Sequence, residues 1–100
     1  RIRRSYAGGG GKRDQPFVFE YDRQLVQGVI DLYFIEDGQL VIVDYKTDRV
    51  LRGRAGEDEL RRRYSIQLDY YAMALSQITG LKVKEKVIYS FALGRSLTVE

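Results

Sequence analysis

Gly28-Val29-Ile30-Asp31-Leu32-Tyr33-Phe34-Ile35-Glu36-Asp37-Gly38-Gln39-Leu40-Val41-Ile42-Val43-Asp44-Tyr45-Lys46-Thr47 reads as one β-hairpin. Asp-Gly is a preferred dipeptide for a two-residue type I′ turn, and alternating apolar residues flank it on both sides. A two-residue loop at Asp37-Gly38 pairs Glu36 with Gln39, and every cross-strand pair then sums to the same number. Asp31 therefore falls opposite Asp44, and Lys46, two residues on, leaves the same face. Like charges directly opposed on a sheet are destabilising by a few tenths to about 1 kcal/mol. A divalent cation between them would offset that cost. Slipping the register by one residue would break the opposition and set apolar rows against polar ones.

The two faces of this hairpin differ in kind. One carries Ile30, Leu32, Phe34, Val41, Val43 and Tyr45, and is core-like throughout. The other carries Tyr33, Ile35, Leu40 and Ile42 near the turn, with Asp31, Asp44 and Lys46 at the far end. Polarity concentrated at one end of a face is what a cleft requires.

Working outward, residues 1–16 read as an irregular or flexible lead-in containing the run Gly8-Gly9-Gly10-Gly11. No lysine-serine sequel follows those glycines, so they are not a phosphate-binding loop of the Walker type. Residues 17–100 form the folded domain. Phe17 to Arg23 alternates as a strand, Leu25 to Glu36 and Gln39 to Lys46 are the hairpin, and Asp48 to Gly56 is a loop. A helix is predicted from Glu57 to Thr79, with Gly80 as its stop and Glu57, Asp58 and Glu59 suiting its positive end. Its apolar stripe is Leu60, Tyr64, Leu68, Tyr71, Leu75 and Ile78. Val83 to Leu93 is a further strand, Gly94-Arg95 a turn, and Leu97 to Val99 a last strand. The order β-β-β-α-β-β makes this an α/β (α+β) domain, with a mixed sheet packed by the long helix.

Composition narrows the chemistry. The chain has 100 residues, enough for one core. It contains no cysteine and no histidine, which removes thiolate chemistry and the commonest transition-metal ligand and general base. Any metal must be held by oxygen, which favours Mg²⁺, Mn²⁺ or Ca²⁺. The absence of cysteine suits a reducing cytoplasm, and no apolar run is long enough for a membrane span. Net charge is only +3, but Arg49, Arg52, Arg54, Arg61, Arg62 and Arg63 follow the Asp44–Lys46 strand. A basic zone beside an acidic pair fits a phosphate polyanion; a solvated surface is the plainer reading.

Asp31, Asp44 and Lys46 are thus a candidate catalytic cluster. Two carboxylates can hold a hard cation, with the Tyr45 backbone carbonyl as a further oxygen ligand, and the lysine can orient water or meet developing negative charge. The competing reading is an Asp44–Lys46 surface ion pair with Asp31 solvated. Gln67 interrupts the apolar stripe one turn before Tyr71, so both point the same way. Either Gln67 reaches a polar cleft or it sits at the stripe's edge facing water. Tyr70 lies on a flank of the helix.

Gly28-Val29-Ile30-Asp31, then Asp44-Tyr45-Lys46-Thr47-Asp48, then Gln67-Leu68-Asp69-Tyr70-Tyr71 resembles the ordered motifs of RecB-type nucleases in the PD-(D/E)XK superfamily. Gln15-Pro16-Phe17, Gln27-Gly28, Ile78-Thr79-Gly80-Leu81-Lys82-Val83 and Ile88-Tyr89-Ser90-Phe91 are similar to the AddA-type nuclease domains of bacterial helicase–nucleases. The resemblance spans roughly Gln15 to Val99. It implies a restriction-endonuclease-like core and metal-dependent hydrolysis of DNA phosphodiesters in double-strand-break repair. It implies Asp31 and Asp44 as Mg²⁺ ligands (Mn²⁺ substituting) with the Tyr45 carbonyl, Lys46 as catalytic lysine, and Gln67 and Tyr71 on the DNA side. Thr47 and Arg49, which follow the lysine, count as further DNA-binding or site-lining candidates. The implied partners are DNA, a helicase portion of a longer parent chain and an AddB-type partner protein, in a bacterial cytoplasm. The family also has an upstream helix with a histidine ligand, which this chain does not carry. The alternative is a non-catalytic DNA-binding or subunit-interaction module of the same fold.

Overall fold

The computed structural model describes residues 11–100; Gly8, Gly9 and Gly10 lie outside them. Strands β1 (Lys12–Tyr21), β2 (Gln24–Glu36) and β3 (Gln39–Lys46) precede helix α1 (Arg54–Thr79), and strands β4 (Val83–Ser90) and β5 (Arg95–Val99) follow it. The five strands form one sheet in chain order. Each neighbouring pair is antiparallel except β3–β4, which is parallel. A parallel pair needs a crossover, and α1 supplies it. This is the mixed-sheet α/β arrangement expected from the order of elements.

The hairpin register holds from Glu36–Gln39 to Leu32–Val43. Asp37 and Gly38 both have positive φ, 55° and 73°, as a type I′ turn demands. The ladder stops one pair short of Asp31–Asp44, so the two aspartates adjoin without being a ladder pair. Leu40 and Ile42 pack beneath α1 with Leu60, Leu68, Leu75 and Ile88. On the opposite side, Leu32, Phe34, Val41, Val43 and Val87 form a second apolar cluster.

Several boundaries and one face differ from expectation. The first strand starts at Lys12, so residues 12–16 are strand and not part of an irregular lead-in. Asp14 has φ 51°, and the β1–β2 ladder omits the Asp14–Asp31 pair; this break hides the alternation before Phe17. It also breaks the alternation of β2. Ile30 joins the helix-side cluster, whereas Leu32 and Phe34 join the other, so these residues do not share one face. α1 begins three residues before Glu57, capped by Gly53 without a side-chain bond, and ends at Gly80, whose N–H donates to the Ser76 carbonyl at 2.8 Å. Ile78 is 58 % exposed rather than part of the buried stripe.

Candidate active site

The end of β3 gathers the chemistry. Alternation along β3 directs Leu40, Ile42, Asp44 and Lys46 toward the α1 side. Asp44 is 2 % exposed, and its Oδ2 lies 2.9 Å from Lys46 Nζ. No well-directed hydrogen bond reaches that buried oxygen. Burial is the main force pushing the Asp44 carboxyl from 3.8 up to about 6. The Asp31 carboxylate beside it adds to the rise, and Lys46 opposes it. A carboxylate so placed gains from a second cation.

Asp31 sits where the β2–β3 ladder has ended. Its Oδ2 accepts the backbone N–H of Tyr45 at 2.9 Å, taking the place of a strand carbonyl. The next residue turns the other way: the Lys46 carbonyl accepts from Phe91 N–H at 3.0 Å, toward β4. Backbone groups alternate sides along a strand, so the Tyr45 carbonyl faces the β2 side with its N–H, on the flank where Asp31 lies. The Tyr45 ring packs with Tyr89 and Phe91, at centroid distances of 6.3 and 5.8 Å.

Lys46 is held from three directions. Besides Asp44, its Nζ donates to Gln67 Oε1 at 3.1 Å and lies 4.0 Å from the centroid of the Tyr64 ring. Gln67 thus turns into a polar cleft rather than to open water, because the lysine offers the partner a half-buried amide needs. Tyr71, one turn on, is 7 % exposed and meets Phe17 edge-to-face at 5.4 Å. Its hydroxyl is pushed up to about 12, first by burial and then by the charges of Asp44 and Asp31. Gly28 borders the same ring: a Cβ there would lie 3.7 Å from Tyr71 and 3.1 Å from Phe17. A cleft of about 390 Å³ continues from Gln67 and Tyr71 along Gly28, Phe17, Ile66 and Arg63.

The structure therefore brings Asp31, Asp44, Tyr45, Lys46 and Gln67 together, with Tyr71 at the border. Thr47 and Arg49 lie beyond the end of β3 and are exposed; Arg49 lines a separate open depression with Arg62 and Arg63. The arginines after β3 are less free than their number suggests. Arg61 pairs with Asp58, Arg62 with Glu59, and Arg63 with both Glu59 and Asp48. The sequence marks three contributors only as a stripe residue, a motif member and part of a basic zone: Tyr64, whose hydroxyl donates to Asp48 at 2.6 Å, Asp48 itself, and Arg63, which binds Asp48 at 3.0 Å. Tyr64 precedes Gln67 by three residues, a spacing that places both on one helix face and was the available signal.

These donors suit a hard divalent cation in kind. Two carboxylates and a carbonyl are all oxygen, and one buried carboxylate oxygen lacks a directed donor. Among the described residues no set of three acidic, histidine or cysteine side chains converges, so protein oxygens alone leave most of an octahedral shell open. No described helix is long and apolar enough to cross a membrane.

The sequence of residues 6–97 matches the PD-(D/E)XK nuclease superfamily. Similar segments occur in proteins named as the A-type subunits of ATP-dependent helicase/nucleases. That of Lachnoclostridium phytofermentans is 52 % identical over 79 residues, covering 79 % of this chain and 6 % of the relative. That of Acetivibrio thermocellus is 53 % identical over 73 residues, 73 % of this chain and 6 % of the relative. That of Thermoanaerobacter sp. (strain X514) is 46 % identical over 85 residues, 85 % of this chain and 7 % of the relative. The chain thus spans 6–7 % of the length of these three relatives. By the order of its elements, the cluster at the end of β3 and the match over nearly its whole length, the chain belongs to the PD-(D/E)XK nuclease superfamily.

Proposed function

We propose that this chain is the nuclease domain of an AddA-type helicase–nuclease, and that it hydrolyses DNA phosphodiesters with Mg²⁺, or Mn²⁺ in its place. The observation that carries the reading is the buried Asp44 carboxylate, set beside Asp31 and facing Lys46 at 2.9 Å. Asp31, Asp44 and the Tyr45 carbonyl would hold the cation, which when bound supplies Lewis acidity at a phosphoryl oxygen and acidifies water. Lys46 presents its ammonium to the phosphate and stabilises the negative charge that grows as water adds and the P–O bond breaks. Gln67 fixes the direction of that ammonium. Tyr71, protonated at any working pH, walls the cleft. In the longer protein the substrate would be linear DNA ends in recombinational repair, in the bacterial cytoplasm beside a helicase portion and an AddB-type partner.

The test is cleavage of end-labelled linear DNA with Mg²⁺ or Mn²⁺. Cleavage should stop in excess EDTA and be lost in Asp44→Ala and Lys46→Ala chains that remain folded. Cleavage that persists in EDTA would refute the mechanism. The presence of only two converging carboxylates among the described residues favours, as the second reading, a module that binds DNA without cutting it. Salt-sensitive DNA binding with no hydrolysis in Mn²⁺ would select that reading.

A further inference from the structure

The ammonium of Lys46 has three N–H donors; one is given to Gln67, and the charge sits 2.9 Å from Asp44 Oδ2 as an ion pair. On its remaining side lies the face of Tyr64, 4.0 Å from Nζ to the ring centroid. The ring is itself anchored: its hydroxyl donates to Asp48 at 2.6 Å, and Asp48 is held by Arg63 at 3.0 Å. Donation to a carboxylate pushes electron density back into the ring, which strengthens the negative face that attracts a cation. Asp48 and Tyr64 respond to each other: the hydroxyl contact is the first cause of both the lowered Asp48 pKa and the raised Tyr64 pKa. The lysine side chain is 17 % exposed, so the contact is partly shielded from water, and such attractions strengthen as water is excluded.

We propose that Tyr64, set by Asp48, is a positioning residue for Lys46, a π-face floor that keeps the ammonium aimed between Asp44 and Gln67. This rests on the nuclease reading for its effect on cleavage, but not for the contact itself. Without the floor the lysine gains rotamers that swing it away from the phosphate, which lowers turnover and leaves substrate binding alone. Phenylalanine retains the face and loses the anchor; leucine loses both.

The test uses the chain labelled with ¹³C at lysine Cε, with the Lys46 resonance assigned by its absence in Lys46→Arg. Ring current should move the Lys46 ε-protons upfield in the wild type, leave them largely upfield in Tyr64→Phe, and release them in Tyr64→Leu. Cleavage of linear DNA should show kcat reduced roughly three- to thirtyfold in Tyr64→Leu, KM unchanged, and most of the loss restored in Tyr64→Phe. Absence of the upfield shift in the wild type overturns the proposal and needs no variant to fold. So does a folded Tyr64→Leu chain whose kcat equals the wild type's. An upfield Lys46 in a chain that cuts no DNA refutes the nuclease reading and supports the contact.

Discussion

The Asp31 carboxylate accepts the backbone N–H of Tyr45 at 2.9 Å, bridging β2 and β3 where their ladder has ended. One side chain thereby satisfies a strand end and sets its charge beside Asp44. The two roles separate by substitution. Asp31→Asn keeps an acceptor for Tyr45 and loses the charge; Asp31→Ala loses both. Urea unfolding should place Asp31→Ala about 1–3 kcal/mol below the wild type, with Asp31→Asn much nearer to it. Both should bind Mn²⁺ at least about tenfold more weakly by titration. Equal stability of the two variants would show that water serves Tyr45 just as well.

The buried Asp44 carboxyl makes stability depend on pH. Its pKa in the fold, about 6, exceeds the ordinary 3.8, chiefly through burial. The folded state therefore holds the proton more tightly than the unfolded chain. Stability from this group is complete below about pH 4 and is lost as pH rises to about 6, then levels. Without metal, Asp44→Asn should remove that component and stabilise the fold at pH 7, by an amount on the order of 1–3 kcal/mol. Millimolar Mn²⁺ should raise the Tm of the wild type and leave Asp44→Asn unmoved. A metal-free wild type with a flat profile between pH 4 and 6 would contradict this account.

How much of this was legible beforehand depends on the range of the interactions. Asp37-Gly38 sets a local turn, a local turn sets register, and register sets Asp44 and Lys46 on one face. Gln67 was legible as an anomaly on an apolar stripe, with a polar cleft and a water-facing edge both open until the Lys46 contact. The start of β1 was hidden by the positive φ of Asp14, which breaks the alternation that marks a strand. Ile30 changed clusters for the same reason, since a period-two reading assumes an unbroken ladder. The pairs of Arg61, Arg62 and Arg63 with Asp58 and Glu59 follow helix spacing and were open to a sequence reading that assigned those acids only to the helix's positive end; the Arg63–Asp48 pair alone depends on loop packing. The Tyr64–Asp48 bond joins residues 16 apart in sequence, and no local rule announces it.

Gly56 fixes that loop against the helix. A Cβ at this position would lie 1.6 Å from the Leu51 carbonyl oxygen, and backbone cannot step aside as a side chain can. Alanine in the first turn gains up to about 1 kcal/mol of helix propensity, far less than the displacement costs. Gly56→Ala should lose on the order of 2 kcal/mol or more in urea unfolding. It should also disturb Asp48 and lower cleavage. A neutral or stabilising outcome would mean that the loop repacks freely.

Gln67 supplies the acceptor that Lys46 meets at 3.1 Å, and its two informative substitutions act in different ways. Leucine removes the acceptor while keeping a half-buried side chain on the helix. The fold should stay within about 1 kcal/mol of the wild type, while kcat falls about tenfold through loss of one hydrogen bond to a charged group. Glutamate instead gives the ammonium a second carboxylate beside Asp44. That holds Lys46 in place but opposes the approach of a phosphate, so KM for DNA should rise more than kcat falls. Steady-state cleavage with both variants separates the effects. If Gln67→Leu cuts at the wild-type rate, the amide is only the edge of the helix, and the aim of Lys46 is set by Asp44 and Tyr64 alone.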